Sequence, residues 1–255
     1  DAMTGYNDLA TRLSAGQTLL KPSDDPTGAS QSVTLQTALS RMSQFDTART
    51  YAQDALGQED NTLDSIGNLL TENLTQKVIA GGNGAYSDED RAALAEELQG
   101  IRDNLLDLAN TKNSDGRYIF AGYKTGSAPF QADGSYVGGD TAMTQVVSDS
   151  TEMQVGHTGS EVFLSGTPDD LFQALDSAIA QLKQPVTSDA DRDALQAVLD
   201  DANVSIKKNI DNLGKVRATV GTNMQQIESL GFSAEAQSIN VQSRLQETLG
   251  SDWDS

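Results

Sequence analysis

At 255 residues the chain is long enough to bury a core as one large domain or two ordinary ones. Only 37% of it is hydrophobic and 5% aromatic, which is thin for a compact globule and suits an elongated shape with a narrow core. Lys and Arg number 17 against 37 Asp and Glu, a net charge of −20, which disfavours nonspecific attraction to nucleic acid or to an anionic membrane and points to other protein surfaces as partners.

The opening stretch DAMTGYNDLATRLSAG has no basic region followed by an apolar one, so no cleavable signal peptide is legible. Met3, Tyr6, Leu9 and Leu13 fall on one helical face, and Gly16 is a plausible stop. The stretch LLKPSDDPTGAS, Leu19 to Ser30, then sets two adjacent aspartates between prolines. Paired carboxylates can act as acid and base or hold a hard cation. Pro26, however, biases Asp25 to extended backbone and is itself suited to the first helical position, which makes Asp25 an N-cap at the positive end of a long helix. With Pro22 and Ser23 forming the turn ahead of it, the segment reads as a structural corner, not a catalytic dyad.

A long helix follows. Leu35, Met42, Leu56, Leu63 and Leu70 lie at multiples of seven, with Ala38, Phe45, Ala52 and Ile66 beside them, and Arg49 and Glu59 interrupt the stripe. This is the pattern of a packed bundle and not of a strict zipper. A helix of roughly 50 residues would measure on the order of 75 Å. The run AGGNGAYS breaks it, and Ser87 with Asp90 forms a capping box from which Leu94, Leu98, Ile101, Leu105 and Leu108 lead back. From GRYIFAGY to Phe163 the period changes, with short β-type runs such as TQVV and EVF between turns that include Asp133-Gly134. Helix resumes at Thr167, an N-cap followed by Pro168, with Leu171, Leu175, Ile179 and Leu182 on one face. From Ser188 a second long stripe runs through Leu199, Ile206, Leu213, Val220 and Ile227, fades near SLGFSAEAQ, and returns at Val241, Leu245 and Leu249.

The expected fold is therefore mainly α with a β insert: an elongated bundle of long antiparallel helices formed by the N- and C-terminal parts, plus a small β-domain. Residues 1–125 and 168–255 would make a discontinuous helical rod and 126–167 the insert. Both ends stop abruptly within apolar repeats, as if cut from a longer chain.

Little here reads as chemistry. There is no cysteine and one histidine, so neither a disulfide, thiol chemistry nor a multi-ligand zinc site is available. His157, in VGHTG, reads as a solvated turn residue. NSDGRY lacks the acidic spacing of a calcium loop, and GGNGAYS has a serine where a dinucleotide loop needs its third glycine. No run of about 18 apolar residues offers a membrane-spanning helix. No catalytic residue, cofactor site or metal site is assigned.

Two stretches do carry a resemblance. RLSAGQTLLKPSDDPTGASQS, Arg12 to Ser32, is similar to the passage from first to second helix in the bacterial flagellin superfamily. NSDGRYIFAGYKTGSAPF, Asn113 to Phe130, more specifically resembles the hook-associated protein 3 family of hook–filament junction proteins. The resemblance implies a structural adaptor, exported without a cleaved signal and sitting outside the cell. It would join another hook-associated junction protein to the flagellin filament, form a ring with copies of itself when full length, and use an export chaperone. It also implies subunit contacts at the corner, through Leu13, Gly16, Ser23, Asp24, Asp25 and Pro26. A flagellin filament subunit remains the alternative. An extracellular enzyme or sugar-binding module seated in 126–167 is the other.

Overall fold

The computed structural model describes residues 26–253. Among the described residues the chain is mainly helical, with one two-stranded sheet. In order it forms α1 (Pro26–Thr71), α2 (Leu74–Ala80), α3 (Asp88–Ala109), β1 (Thr144–Ser148), β2 (Thr151–Gln154), α4 (Gly159–Phe163), α5 (Leu171–Leu182) and α6 (Asp189–Trp253). The described residues cluster into two compact units. One comprises 26–53, 145–153 and 224–253; the other comprises Asp54–Thr144 and Gln154–Asn223.

In the first unit, Leu35 and Leu39 of α1 close on Leu245 of α6, with Met42, Val241 and Leu249 packed around them. Residues 27–35 of α1 share a groove with 244–248 of α6, and 38–49 share one with 230–237, so the two segments run antiparallel. The apolar stripe of α6 fades near Phe232 because small residues take its inward positions. Ser238 is buried and Ala234 half-buried, whereas Phe232 is 66% exposed. The helix nevertheless continues unbroken through this stretch. Leu230, Ala234 and Gln237 line one side of a groove of about 250 Å³, opposite Ala38 and Met42 of α1 and the Asp149–Ser150 turn. That turn joins β1 to β2 across two residues, short enough to require an antiparallel hairpin.

The second unit holds most of the core. Leu56, Leu63, Ile66 and Leu70 of α1 and Leu199, Ile206, Leu213 and Val220 of α6 are all buried, as their seven-residue spacing predicts. Arg217 of α6 reaches Asp60 and Asp64 of α1 at 3.2 and 3.1 Å. The helical run from α1 breaks earlier than the sequence suggests. Asn73 adopts a left-handed φ of 71° between α1 and α2, a conformation that asparagine tolerates better than most residues. The glycines at the end of α2 have a second role. Gly81 is right-handed, but a Cβ there would meet Leu182 Cδ2 at 2.7 Å, so its lack of a side chain lets α5 approach.

α3 starts at the expected capping box. The Ser87 hydroxyl accepts from Asp90 N, and the Asp90 carboxylate accepts from Ser87 N; these bonds hold the Asp90 carboxyl below its ordinary range. Two expected elements differ. The EVF stretch is not a strand: Glu161–Phe163 lies in α4, capped by Thr158, whose hydroxyl accepts from Glu161 N. The start of α5 is Asp170 and not Thr167. Asp170 Oδ1 accepts from Phe172 N and Gln173 N, and Oδ2 accepts from Gly166 N. Thr167 instead closes the preceding turn by donating to Leu164 O at 2.7 Å. Pro168 therefore precedes the cap. Because Asp170 is 7% exposed, Asp170→Ala should cost about 1–2 kcal/mol in denaturant unfolding, while Asp170→Asn retains most of the stability. An equal loss in both variants would show that the carboxylate charge, and not the cap, is what matters.

Candidate functional site

The corner singled out in the sequence falls almost wholly outside the described residues. Leu13, Gly16, Ser23, Asp24 and Asp25 are not among them, and Pro26 is the first residue of α1. The position of Pro26 agrees with the preference of proline for a first helical turn.

The two charges that interrupt the α1 stripe are explained by what reaches them. A charge on a buried seam is costly unless it is paired and hydrogen-bonded. In the first unit, Arg49 is 6% exposed, donates from Nη1 to Val147 O of β1 at 3.0 Å, and has Asp46 3.6 Å from Nη2. It fixes the hairpin to the helix through the hairpin's own backbone. In the second unit, Glu59 is 2% exposed and its Oε1 lies 2.6 Å from Nδ1 of His157. This overturns the reading of His157 as a solvated turn residue, since the residue is 7% exposed. The signal was present in the sequence: an acidic residue on an apolar seam and a single histidine have reason to find one another.

The stretch Asn113 to Phe130 builds a folded hub within the second unit. Asn113 Oδ1 accepts from Asp115 N and Arg117 N, which shapes the turn through Gly116 at φ 76°. Arg117 Nη1 donates to Thr125 Oγ1, and Tyr118 N to Thr125 O. Phe120 O accepts from Gly159 N, tying the hub to the start of α4. At its end, Phe130 N donates to Asn110 Oδ1, and Asn110 Nδ2 donates back to Phe130 O, both at 3.0 Å.

Phe130 also centres an aromatic cluster. Its ring lies 5.2 Å from Phe163, 5.3 Å from Tyr136 and 5.5 Å from Phe172, while Phe120 meets Phe163 edge-on at 6.4 Å. The Tyr136 hydroxyl donates to Gly139 O at 2.6 Å, and burial pushes its phenol up to about 12. Arg102 of α3 lies over Phe172, pairs with Asp176 of α5 and donates to Ala132 O. The side chains of this constellation hold backbone and stack rings, which positions one segment of the chain on another. Among the described residues, no group of three or more His, Cys, Asp or Glu could hold a metal ion, and no helix is long and apolar enough to cross a membrane.

Comparison with known proteins agrees with this architecture. Residues 2–125 match the family model of the bacterial flagellin N-terminal helical region. That match makes the N-terminal part of the chain similar to the helical region of bacterial flagellins, and the relatives found over nearly the whole chain are flagellar proteins. The flagellar hook-associated protein 3 of Escherichia coli is 41% identical over 256 residues, covering 95% of this chain and 80% of the relative. That of Salmonella typhimurium is 38% identical, covering 97% and 82%. The crystal structure of a flagellar hook-associated protein 3 from Legionella pneumophila superposes with a TM-score of 0.75 at 21% identity, over 85% of this chain and 98% of that one. The chain belongs to the flagellar hook-associated protein 3 family, whose members are structural components of the flagellum.

Proposed function

We propose that this chain is the structural adaptor between hook and filament, joining another hook-associated junction protein to the flagellin filament. The 41% identity to a hook-associated protein 3 over 95% of the chain carries this reading. The adaptor role is one of docking and load-bearing, without catalysis. We further propose that it lies outside the cell after export without a cleaved signal, that copies of the full-length protein form a ring, and that a chaperone accompanies export. The subunit-contacting corner is assigned to Leu13, Gly16, Ser23, Asp24, Asp25 and Pro26, with 126–167 as an insert between the two halves of the helical domain. In cells, the tagged protein should be detected as one focus at the base of each filament, and its deletion should leave hooks without attached filaments. Label distributed along the filament would replace this reading with that of a filament subunit.

A further inference from the structure

The contact between Glu59 and His157 has three features that a simple buried bridge does not require. It spans 98 residues of sequence, joining the chain that returns from the hairpin to α1. The second carboxylate oxygen, Oε2, is buried and has no hydrogen-bond partner among the described residues. The returning chain is also held on either side, by Asn223 Nδ2 donating to Gln154 O at 3.1 Å and Gly159 N donating to Phe120 O at 2.8 Å. Between these two ties, Val155 N donates to Met143 O at 2.9 Å and Gln154 Nε2 to Gly156 O at 2.8 Å, but among the described residues the polar contact of this stretch with α1 is the imidazole.

We propose that Glu59 and His157 form a proton-held latch: one shared proton keeps Val155–Thr158 seated on α1, and loss of that proton frees the segment while the long helices remain folded. With the proton present the site is neutral overall, either as a carboxylate and imidazolium or as their uncharged forms. Without it, the carboxylate keeps a full negative charge in a place where one oxygen has no donor. The surroundings do not relieve that charge. Glu161 of α4 adds a second negative field, with a carboxylate oxygen 3.2 Å from the Thr158 hydroxyl. On α6, Arg217 is engaged by Asp60 and Asp64 of α1 and not by Glu59.

Both groups bind the proton more tightly in the fold than in the open chain. Burial raises Glu59 above 4.5 against the opposing His157 hydrogen bond. For His157, burial acts to lower the value, but the bond and charge of Glu59, aided by Glu161, outweigh it and leave the imidazole above 6.5. The folded state thus carries more protons than the unfolded one, so stability falls as pH rises, first above 4.5 for the carboxyl and then above 6.5 for the imidazole. The imidazole's share is complete below 6.5 and disappears as pH passes its folded-state value.

His157 is the chain's one histidine, so its ring signals in a proton NMR titration need no assignment. In the intact chain the ring should titrate above 6.5. Amide exchange at Val155–Thr158, corrected for its own pH dependence, should report an opening equilibrium that rises by up to about tenfold per pH unit beyond that point. Amides in the middle of α3 should show no such rise. Glu59→Gln should move the ring titration to lower pH, and both Glu59→Gln and His157→Gln should flatten the pH dependence of opening. A ring that titrates at or below 6.5, or opening in the unsubstituted chain that is unchanged between neutral and alkaline pH, would overturn the latch. So would a pH dependence that persists in both variants. If a variant fails to fold, the titration and exchange of the unsubstituted chain decide alone.

Discussion

Phe163→Ala is expected to lower the unfolding free energy of the second unit by about 3–5 kcal/mol, a large part of the stability of an ordinary domain. The ring is fully buried and meets Phe120, Phe130 and Phe172 at centroid distances of 6.4, 5.2 and 5.3 Å. Removing it loses its transfer from water and leaves a cavity with rigid walls. Phe130 is fixed by Asn110 through its backbone, and Gly159 lies so close that a Cβ there would sit 2.3 Å from the Phe130 ring. Little of the void can close. Phe163→Leu fills most of the same space and should cost well under half as much. A shift in denaturation midpoint equal to that of the leucine variant would show that the cluster collapses on truncation and that the rings do not act as a fixed core.

The second large effect concerns Gly134, at φ 84° in the turn after Asp133. Gly134→Ala should cost about 2–4 kcal/mol, the sum of a left-handed backbone at roughly 1–2 kcal/mol and an overpacked contact of similar size. The added Cβ would lie 2.5 Å from Phe172 Cβ and 2.9 Å from its Cγ. Those atoms are close to the α5 backbone and cannot swing aside as a flexible chain end would. Gly116→Ala supplies the control: its φ is 76°, yet nothing lies within 4 Å of the new atom, so only the backbone penalty applies. Unfolding both variants in denaturant separates the two causes. Equal losses would show that the Phe172 contact relaxes at no cost.

These two sites show where local and distant information part. Asp133-Gly134 is legible as a turn because aspartate and glycine favour the backbone that a turn needs. That the same glycine must also admit Phe172, 38 residues further on, is not encoded near it. The cap of α5 illustrates the same limit. Thr167-Pro168 and Asp170 are both acceptable helix starts by local chemistry, and the choice falls to Asp170, whose carboxylate also takes the amide of Gly166. EVF is too short for periodicity to separate strand from helix, and the Thr158 cap with the Gly159–Phe120 bond turns it into α4.

By itself the sequence determined the helical class, the two long stripes, the capping box at Ser87 and the family, because these rest on repeated spacing or on contiguous residues. Leu56, Leu63 and Leu70, and Leu199, Ile206 and Leu213, are buried where a helical period puts them. Only the tertiary structure decided what the interruptions in those stripes are for. Arg49 reads as a flaw until Val147 O is brought to it, Glu59 until His157 is, and Gly81 as a mere helix breaker until Leu182 needs its space. The physical reason is common to all three. A buried charge or a missing side chain is unfavourable in its own element and becomes favourable only through a partner supplied from far along the chain, so its meaning does not exist until the fold has closed.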